Sequence, residues 1–361
     1  VGTGNQIGGT TAADRNVIAL SKQLVGVDIS GSATGTQIFG NYLGVNAAGN
    51  TVLNASPPIG SANIRLAAGS TNSQIGNAAA GSRNTIGGAY AGIKLESSTT
   101  GNQVKNNAIG VGAAGQNVGN SNYGVWLLGS TGNQIGGALG TEGNLVAYSG
   151  LYGIYADSAG SSNNTIAGNT ARNNGLNGVF VRIATGVKIT QTQTSANGDN
   201  GIALGVGGNA SLAAPSNLQL TTPGGVPTLS GTTCAGCVVE VFTSPTREDG
   251  EGPRYLTTTT ATGTSFSVAV GGCDQFLTAT ARDASNNTSP FTTPMLDAGA
   301  SCTGSQANVQ LDPASPPAKT TAPGASVTYV HTLRNTGTAQ GNFTITKTST
   351  QPNWNIQLSA S

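Results

Sequence analysis

The sequence has 361 residues, of which only 8% are charged, and its 15 Lys and Arg against 14 Asp and Glu leave a net charge of +1. A chain this close to neutral has no electrostatic means of holding nucleic acid or an anionic membrane surface. It contains no run of eighteen apolar residues, so membrane insertion through a helix is not expected.

A four-residue phrase recurs along the first 205 residues: Gly or Asn, an apolar residue, any residue, an apolar residue. Its seven copies, GVDI, NIRL, GIKL, GVWL, GIYA, GVFV and GIAL, begin at residues 26, 63, 92, 124, 153, 178 and 201. Successive copies start 37, 29, 32, 29, 25 and 23 residues apart, but a second hydrophobic follows each of the first six copies after eight to ten residues. A constant offset inside a repeat of variable length is typical of a solenoid, because two strands and their corner are fixed while other loops vary.

The alternation within each phrase predicts a short strand with one buried face. No single coil can bury its own Val and Ile, so the coils must stack. The predicted buried ladder consists of Ile38, Ile75, Val104, Ile135, Ile166 and Ile189. A third segment closes each coil, as at 40–45 and 107–112, and residues 5–7 and 16–18 look like the tail of an earlier coil. We therefore predict an all-β fold that begins with a right-handed parallel β-helix over residues 1–214, ~35 Å long at the usual strand spacing.

Asparagine precedes the second strand of several coils, at Asn72, Asn102, Asn133 and Asn164. Stacked asparagines can form hydrogen bonds along a ladder, and Asn tolerates the left-handed conformation that sharp corners require. The same residues could instead line a saccharide groove. We favour the structural interpretation, because the residue recurs on coil after coil whereas a binding site would be local.

The sequence pattern changes near residue 215. Alternating apolar residues over 237–244, 265–270 and 276–283 predict antiparallel strands. The string GTTCAGCVVEVF and the later TATARDASNNTSPF resemble the small immunoglobulin-like module that often follows β-helix repeats in large bacterial surface proteins. This resemblance implies an Ig-like β-sandwich with disulfides over residues 215–304.

All four cysteines, Cys234, Cys237, Cys273 and Cys302, follow this change of pattern. A CxxC pair can be a redox centre or half a zinc site, but there is no second CxxC and the only histidine, His331, lies in another segment. We therefore favour disulfides, for which three pairings are open. A hairpin would join Cys273 to Cys302 and leave Cys234 to pair with Cys237. Disulfides indicate an oxidising compartment, and hence a secreted protein outside the cell or on its surface.

A third unit is predicted over residues 305–361. Its stretch from Pro323 to Ser349 resembles repeated β-sandwich modules of bacterial surface proteins, with an Asn-Thr-Gly turn at 335–337. Such modules usually run to a hundred or more residues, so a partial sandwich is expected, continued in the chain or completed by another copy. With Val1 at the start and no coil cap, both ends are expected to be unfinished. Unfinished ends favour a head-to-tail homopolymer in which one copy donates a strand to the next.

Enzymes are the main alternative, because right-handed β-helices include pectate lyases, polygalacturonases, alginate epimerases and phage tailspikes. Such chemistry needs paired carboxylates, a calcium site or a basic residue beside the scissile bond. The β-helix segment has no His and six scattered carboxylates. We therefore predict no catalytic residue, no metal and no cofactor. Residues 152–157 resemble the start of the epimerases' Tyr-Gly-(Phe/Ile)-Asp-Pro-His signature but lack its Asp-Pro-His, and we expect Asp157 to pair with Arg182 of the next coil.

Equivalent outward positions of successive coils carry large side chains. These are Arg65, Lys94, Trp126, Tyr155 and Phe180. Aromatic side chains exposed on a flat sheet contact another protein or bind sugar rings, unless loops of the same chain cover them. We favour contact with a partner and keep carbohydrate as the alternative.

Four Asn-x-Ser/Thr triplets are candidate glycosylation sites, at Asn163, Asn209, Asn287 and Asn342. Together these observations predict an extracellular structural subunit that self-assembles head to tail into a cell-surface fibre or sheath. A surface adhesin with a carbohydrate-binding stalk is the alternative, and a polysaccharide lyase or hydrolase is the least favoured.

Overall fold

The computed structural model describes residues 2–20, 24–271 and 276–298, together with the backbone of two strands at 309–312 and 332–335. The chain divides into two compact units, residues 1–301 and 302–361. Cys273, Cys302, Asn342 and the turn at 336–337 lie outside the described residues.

Residues 6–204 form three parallel sheets of seven strands each. The first sheet contains β3 (Val25–Ile29), β6 (Ala62–Leu66), β9 (Ala91–Glu96), β12 (Tyr123–Leu128), β15 (Tyr152–Asp157), β18 (Val179–Val181) and β21 (Ile202–Leu204). The second contains β1 (Gln6–Gly8), β4 (Gln37–Phe39), β7 (Gln74–Ile75), β10 (Gln103–Val104), β13 (Gln134–Gly136), β16 (Thr165–Ala167) and β19 (Lys188–Thr190). The third contains β2 (Val17–Ile18), β5 (Tyr42–Leu43), β8 (Thr85–Ile86), β11 (Ala108–Ile109), β14 (Leu145–Ala147), β17 (Thr170–Arg172) and β20 (Gln193–Ser195). Each coil contributes one strand to each of the three sheets, which confirms the parallel β-helix. The handedness of the helix stays a prediction.

The six residues of the predicted ladder stack in direct register on the second sheet, each paired with the next, from Ile38 to Ile189. All but Ile189 are completely buried, and Ile189 is 3% exposed. Ile7 extends the ladder by one coil, because it pairs with Ile38. The constant offset in the sequence therefore marks the corner between the first and second sheets.

The glycine that begins most phrases is required by the close approach of the next coil. A Cβ at Gly92 would lie 2.8 Å from the carbonyl oxygen of Gly124, and a Cβ at Gly124 would lie 2.6 Å from that of Gly153. Non-bonded carbon and oxygen atoms repel each other strongly at such distances. A side chain at Gly92 or Gly124 would therefore require the neighbouring coil to shift, whereas the second coil accommodates Asn63 at the equivalent position.

Asparagine ladders hold two corners of the helix. At the first, Nδ2 of Asn102 donates to Oδ1 of Asn133 at 3.0 Å, and Asn133 donates to Asn164 at 3.2 Å. Asn72 is not a member of this ladder, because Ser73 occupies the ladder position in its coil; it has the other role expected of these residues, as an exposed corner residue in the left-handed conformation with a φ of 53°.

A second ladder, not predicted, lies directly before the first six strands of the third sheet and consists of Asn16, Asn41, Asn84, Asn107, Asn144 and Asn169. Oδ1 of Asn144 accepts from both the N–H and the Nδ2 of Asn107, at 2.9 and 3.0 Å. Asn144 in turn donates to Oδ1 of Asn169 at 2.9 Å. Buried amide groups are thus satisfied by the neighbouring coils, as the low dielectric of the interior requires.

Residues 216–297 form two antiparallel sheets, here called the module. One contains β22 (Ser216–Thr221), β23 (Thr228–Thr232) and β26 (Ser265–Ala269). The other contains β24 (Val238–Ser244), β25 (Arg254–Thr260), β27 (Phe276–Arg282) and β28 (Leu296–Asp297). The three predicted strands are confirmed as β24, β26 and β27. In the second unit, β29 (Val309–Asp312) pairs antiparallel with β30 (Thr332–Asn335).

The module closes the C-terminal end of the β-helix. Strands β19, β20 and β21 are the last of their sheets, and a free strand edge presents unpaired backbone groups. The N–H of Thr194 on β20 donates to the carbonyl of Gly252 at 3.0 Å, and the N–H of Ile189 on β19 donates to Oγ1 of Thr288 at 2.9 Å. Module residues therefore take the place of a further coil, which the sequence did not reveal.

Apolar side chains of the module continue the core of the helix. Phe242 and Phe291 are 1% and 2% exposed, and they belong to the same buried cluster as Ile189 and Ile202. Tyr255 packs against this cluster. Helix and module therefore share one hydrophobic core.

Within the described residues, no helix has the length and apolar character needed to cross a membrane. The helical segments present are short 3-10 turns: Ala12–Asp14, Ala159–Ser161, Gly208–Ser211 and Pro223–Gly225.

The ladder can be tested by truncation of one central member. Ile135→Ala removes a completely buried side chain with neighbours on both sides. We expect it to lower the free energy of unfolding in urea by about 2–5 kcal/mol. Gln134→Ala, on the outward face of the same strand, is the matched control and should change it by about 0.5 kcal/mol or less. Equal effects of the two substitutions would contradict the ladder.

The second asparagine ladder is tested by Asn144→Ala. This change leaves the backbone N–H of Asn107 without its acceptor inside the core and removes one of the three acceptors of its Nδ2. We expect a loss of about 1–3 kcal/mol in urea unfolding, the usual cost of unsatisfied buried groups. Asn50→Ala, at an exposed position, serves as the control. A loss no larger than that of the control would show that the ladder contributes nothing.

Candidate contact surface on the first sheet

The large outward side chains predicted from the sequence lie side by side on the first sheet. Arg65 pairs with Lys94, Lys94 with Trp126, Trp126 with Tyr155, and Tyr155 with Phe180. Each residue is the outward one between two buried residues of its strand, for example Val125 and Leu127 in β12. We call these five residues the outward row.

A second column of aromatic residues flanks the outward row and was not predicted. It comprises Tyr90, Tyr123 and Tyr152, of which the last two open strands β12 and β15. The signal was present in the sequence as a Tyr directly before the phrase glycine at 123 and 152. Sequence reasoning followed only the position inside the phrase and so missed it.

The rings of the two columns pack against one another. Tyr123 and Tyr152 are nearly parallel with centroids 5.9 Å apart, and Tyr155 and Phe180 are nearly parallel at 5.5 Å. Trp126 lies 5.0 Å from Tyr123 in a tilted arrangement. As a result Tyr155 is only 5% exposed, although it stands on the outward face. Much of the ring area is therefore in contact with other rings of the same chain.

Charged side chains continue the outward row toward the first coils. Arg65 forms ion pairs with Asp28 at 3.3 Å and with Glu96 at 2.5 Å, and Lys94 pairs with Glu96 at 2.5 Å. The ammonium group of Lys94 also lies 4.6 Å from the ring centroid of Trp126, in cation–π contact. The cations are thus held by partners within the surface.

The ion pairs are reflected in the protonation of the carboxylate. Burial opposes ionisation of Glu96, but the hydrogen bonds from Lys94 and Arg65 outweigh it and lower the pKa of Glu96 below its ordinary value. The hydrogen bond to Glu96 likewise raises the pKa of Arg65, against the effect of burial. Glu96 and Arg65 are therefore both charged at neutral pH.

The hydroxyls of Tyr123 and Tyr155 are held in the protonated form. Burial, followed by the electrostatic effect of Tyr90, raises the pKa of Tyr123 to about 12. Burial and the carboxylate of Asp157 raise the pKa of Tyr155 above that of free tyrosine. A hydroxyl with such a pKa is a poor general base at neutral pH.

Asp157 and Arg182 form the expected ion pair across neighbouring coils, at 2.8 Å. The carboxylate also accepts from the hydroxyl of Tyr155. Among the described residues, no group of three or more His, Cys, Asp or Glu side chains is arranged to hold a metal ion.

The other candidate residues occupy different parts of the fold. Cys234 and Cys237 are joined as a disulfide across the turn between β23 and β24, with Cα atoms 5.4 Å apart. Asn163 is exposed at a corner with a φ of 59°, where it stays a candidate for glycosylation.

Two candidate glycosylation residues are buried where the module meets the helix. Asn209 is completely buried and donates from Nδ2 to the carbonyls of Val187 and Thr288 at 2.8 and 2.9 Å. Asn287 is 5% exposed and accepts from the N–H of Gly186 at 2.7 Å. Both amides hold the last coil, and the folded chain leaves no room on them for a glycan.

A shallow cleft of about 460 Å³ lies at the corner between the third and first sheets. Its lining includes Pro57, Asn117, Asn120 and Tyr148. Asn120 is 2% exposed, and its Nδ2 lies close to Gly92, on the strand that follows the corner, so the amide does not reach into the cleft.

Comparison with known proteins places no family on the chain. No protein-family model and no curated protein matches it. Among solved structures, the crystal structure of a mutant periplasmic alginate epimerase is similar, at 19% sequence identity and a TM-score of 0.34. The match covers 50% of this chain and 40% of that chain. The assignment of the β-helix therefore depends on the strand pairing itself.

The packing of the outward row is tested by a double-mutant cycle on Tyr155 and Phe180. Because the rings are stacked, we expect Tyr155→Ala and Phe180→Ala to be coupled by about 0.5–1.5 kcal/mol in urea unfolding. Tyr42→Ala paired with Phe180→Ala is the control, because Tyr42 lies on the third sheet, five coils away. Purely additive effects of the stacked pair would show that the rings do not support one another.

Proposed function

We propose that this protein is an exported structural protein without a catalytic role, whose β-helix acts as a rigid spacer. The observation that carries the proposal is the continuity of the stack. Hydrogen-bonded ladders and one hydrophobic core run from the first coil into the module, so the helix is held along its length and closed at its C-terminal end. A spacer needs this kind of stiffness.

Composition and the disulfide support export to an oxidising compartment outside the cell. A disulfide such as that of Cys234 and Cys237 persists there and is rare in the cytosol. The Ig-like assignment of the module is part of the same proposal. Its seven strands, numbered from its first, pair as 1-2-5 and 4-3-6-7, which is compatible with a seven-stranded Greek-key sandwich.

We further propose that copies associate into a cell-surface fibre or sheath. The small net charge supports this, because copies with a charge of +1 do not repel one another strongly. The closure of the last coil restricts how they can meet. With β19 and β20 held by the module, a second copy would bind through the opposite edge of the helix, formed by β1, β2 and β3, through an outer face or through residues 299–361.

A glycan-binding stalk is the second candidate, favoured by the aromatic residues of the outward row. A sugar ring stacks on an aromatic face, and here part of that face is used by neighbouring rings. A test is binding of the protein to arrayed neutral and acidic polysaccharides, with Trp126→Ala as the variant. Saturable binding that Trp126→Ala weakens at least tenfold would favour the glycan-binding stalk. Absence of binding would contradict this second candidate function.

Sedimentation velocity of the full chain over a hundredfold range of concentration tests association, with electron microscopy of the same samples. We expect the sedimentation coefficient to rise with concentration and threads or sheets to appear in the micrographs. A monomer at all concentrations would contradict self-assembly. Incubation of the same protein with polysaccharides is the second measurement. Release of new reducing ends or unsaturated sugars would contradict a purely structural role.

A further inference from the structure

Two buried carboxylates join the module to the last coil at two of its three corners. Glu240, on β24, is 7% exposed, and Glu251, in the loop after β24, is 4% exposed. Buried carboxylates are costly to keep charged unless they are paired or hydrogen-bonded. Their position at a contact between two parts of the fold makes the contact sensitive to their charge.

Glu240 holds the corner between the second and third sheets. Its Oε2 accepts from the N–H of Gln191 at 2.7 Å, and its Oε1 accepts from the hydroxyl of Thr190. The charged groups that act on it are Arg282 on β27 and Lys188 on β19. Tyr255 on β25 packs beside it as a neutral neighbour.

Glu251 holds the corner between the third and first sheets. Its Oε1 accepts from both the N–H and the Nδ2 of Asn197, each at 3.0 Å. Asn197 is stacked on Asn174 of the preceding coil, because Oδ1 of Asn197 accepts a hydrogen bond from Nδ2 of Asn174 at 2.9 Å. The charged group that acts on Glu251 is another carboxylate, Glu248.

We propose that the module is a pH-dependent cap, which grips the last coil most firmly when Glu240 and Glu251 are protonated and loosens as they ionise. Loosening exposes the outer edges of β19 and β20, which are the strand edges able to accept another strand. The cap thus couples the pH of the surroundings to the availability of the end of the solenoid.

The sign follows from the protonation of the two groups. Burial raises the pKa of Glu240 and of Glu251 above the ordinary value of 4.5, and the hydrogen bonds that oppose burial do not reverse the shift. A carboxyl whose pKa is higher in the closed state than in the open state stabilises the closed state. This stabilisation is complete at pH values below the pKa of the open state. The contribution is lost as pH rises through the raised pKa. Closing is therefore favoured at acid pH, and opening increases from about pH 4.5 upward.

Hydrogen exchange of the full chain between pH 4 and pH 8, followed by mass spectrometry, measures this opening. Peptides covering residues 186–201 report on the last coil, and peptides covering 132–148 report on the interior of the helix. After correction for intrinsic exchange, opening of the last coil should rise about tenfold for each pH unit by which a carboxyl's pKa is raised. Glu240→Gln with Glu251→Gln should abolish this rise, because the amide cannot ionise; it keeps one of the two acceptor oxygens and replaces the other with an NH2 group.

Glu142→Gln is the matched control. The N–H of Ala138, followed by Lys105, lowers the pKa of Glu142, so its contribution has the opposite sign and is lost as pH falls. This variant should leave the pH dependence at 186–201 unchanged. The single substitutions Glu240→Gln and Glu251→Gln serve if the double variant loses protection at 132–148. Exchange at 186–201 that does not depend on pH, or depends on it equally in the Gln variants, would overturn the proposal.

Discussion

The structure depends on one constraint: each coil satisfies its backbone and most of its buried amides on the neighbouring coils, so the last coil needs partners from outside the stack. A parallel sheet that stops leaves a row of donors and acceptors without partners. At the C-terminal end, residues of the module provide those partners. Thr288 binds β19 of the second sheet. Glu240 binds the corner between the second and third sheets, and Glu251 binds the corner between the third and first sheets. The cap uses side chains of three different loops and strands, which explains why helix and module share one core.

The same constraint explains the composition. In the described helix, polar residues are buried mainly where they repeat, because an Asn such as Asn107 finds an identical partner in the next coil. Apolar residues repeat for the same reason: Ile135 pairs with Val104 and Ile166 of the neighbouring coils and is buried in the core that the coils share. Charged residues would repel one another if they were stacked in such buried columns, and only 8% of the residues of the chain are charged. On the outer face, the stacked rings and the ion pairs of Arg65 and Lys94 follow the same columns.

The features that repeat were the ones that the sequence could predict. The fixed offset after each phrase placed Ile38 on Ile75 and Trp126 beside Tyr155, because a parallel register brings equivalent residues together. In one coil the ladder position belongs to Ser73, and Asn72 beside it is the left-handed corner residue. The cap was beyond prediction for a physical reason. Glu251 meets Asn197 across 54 residues, once only, and no period marks a contact that occurs once.

The most direct test of this account is a double-mutant cycle between Glu251 and Asn197, measured by urea unfolding at constant pH. If the module terminates the stack, Glu251→Ala and Asn197→Ala act on one contact. Their effects should then be coupled by about 0.5–3 kcal/mol. Effects that add within about 0.5 kcal/mol would contradict the account, because the module would then lie next to the helix without closing it.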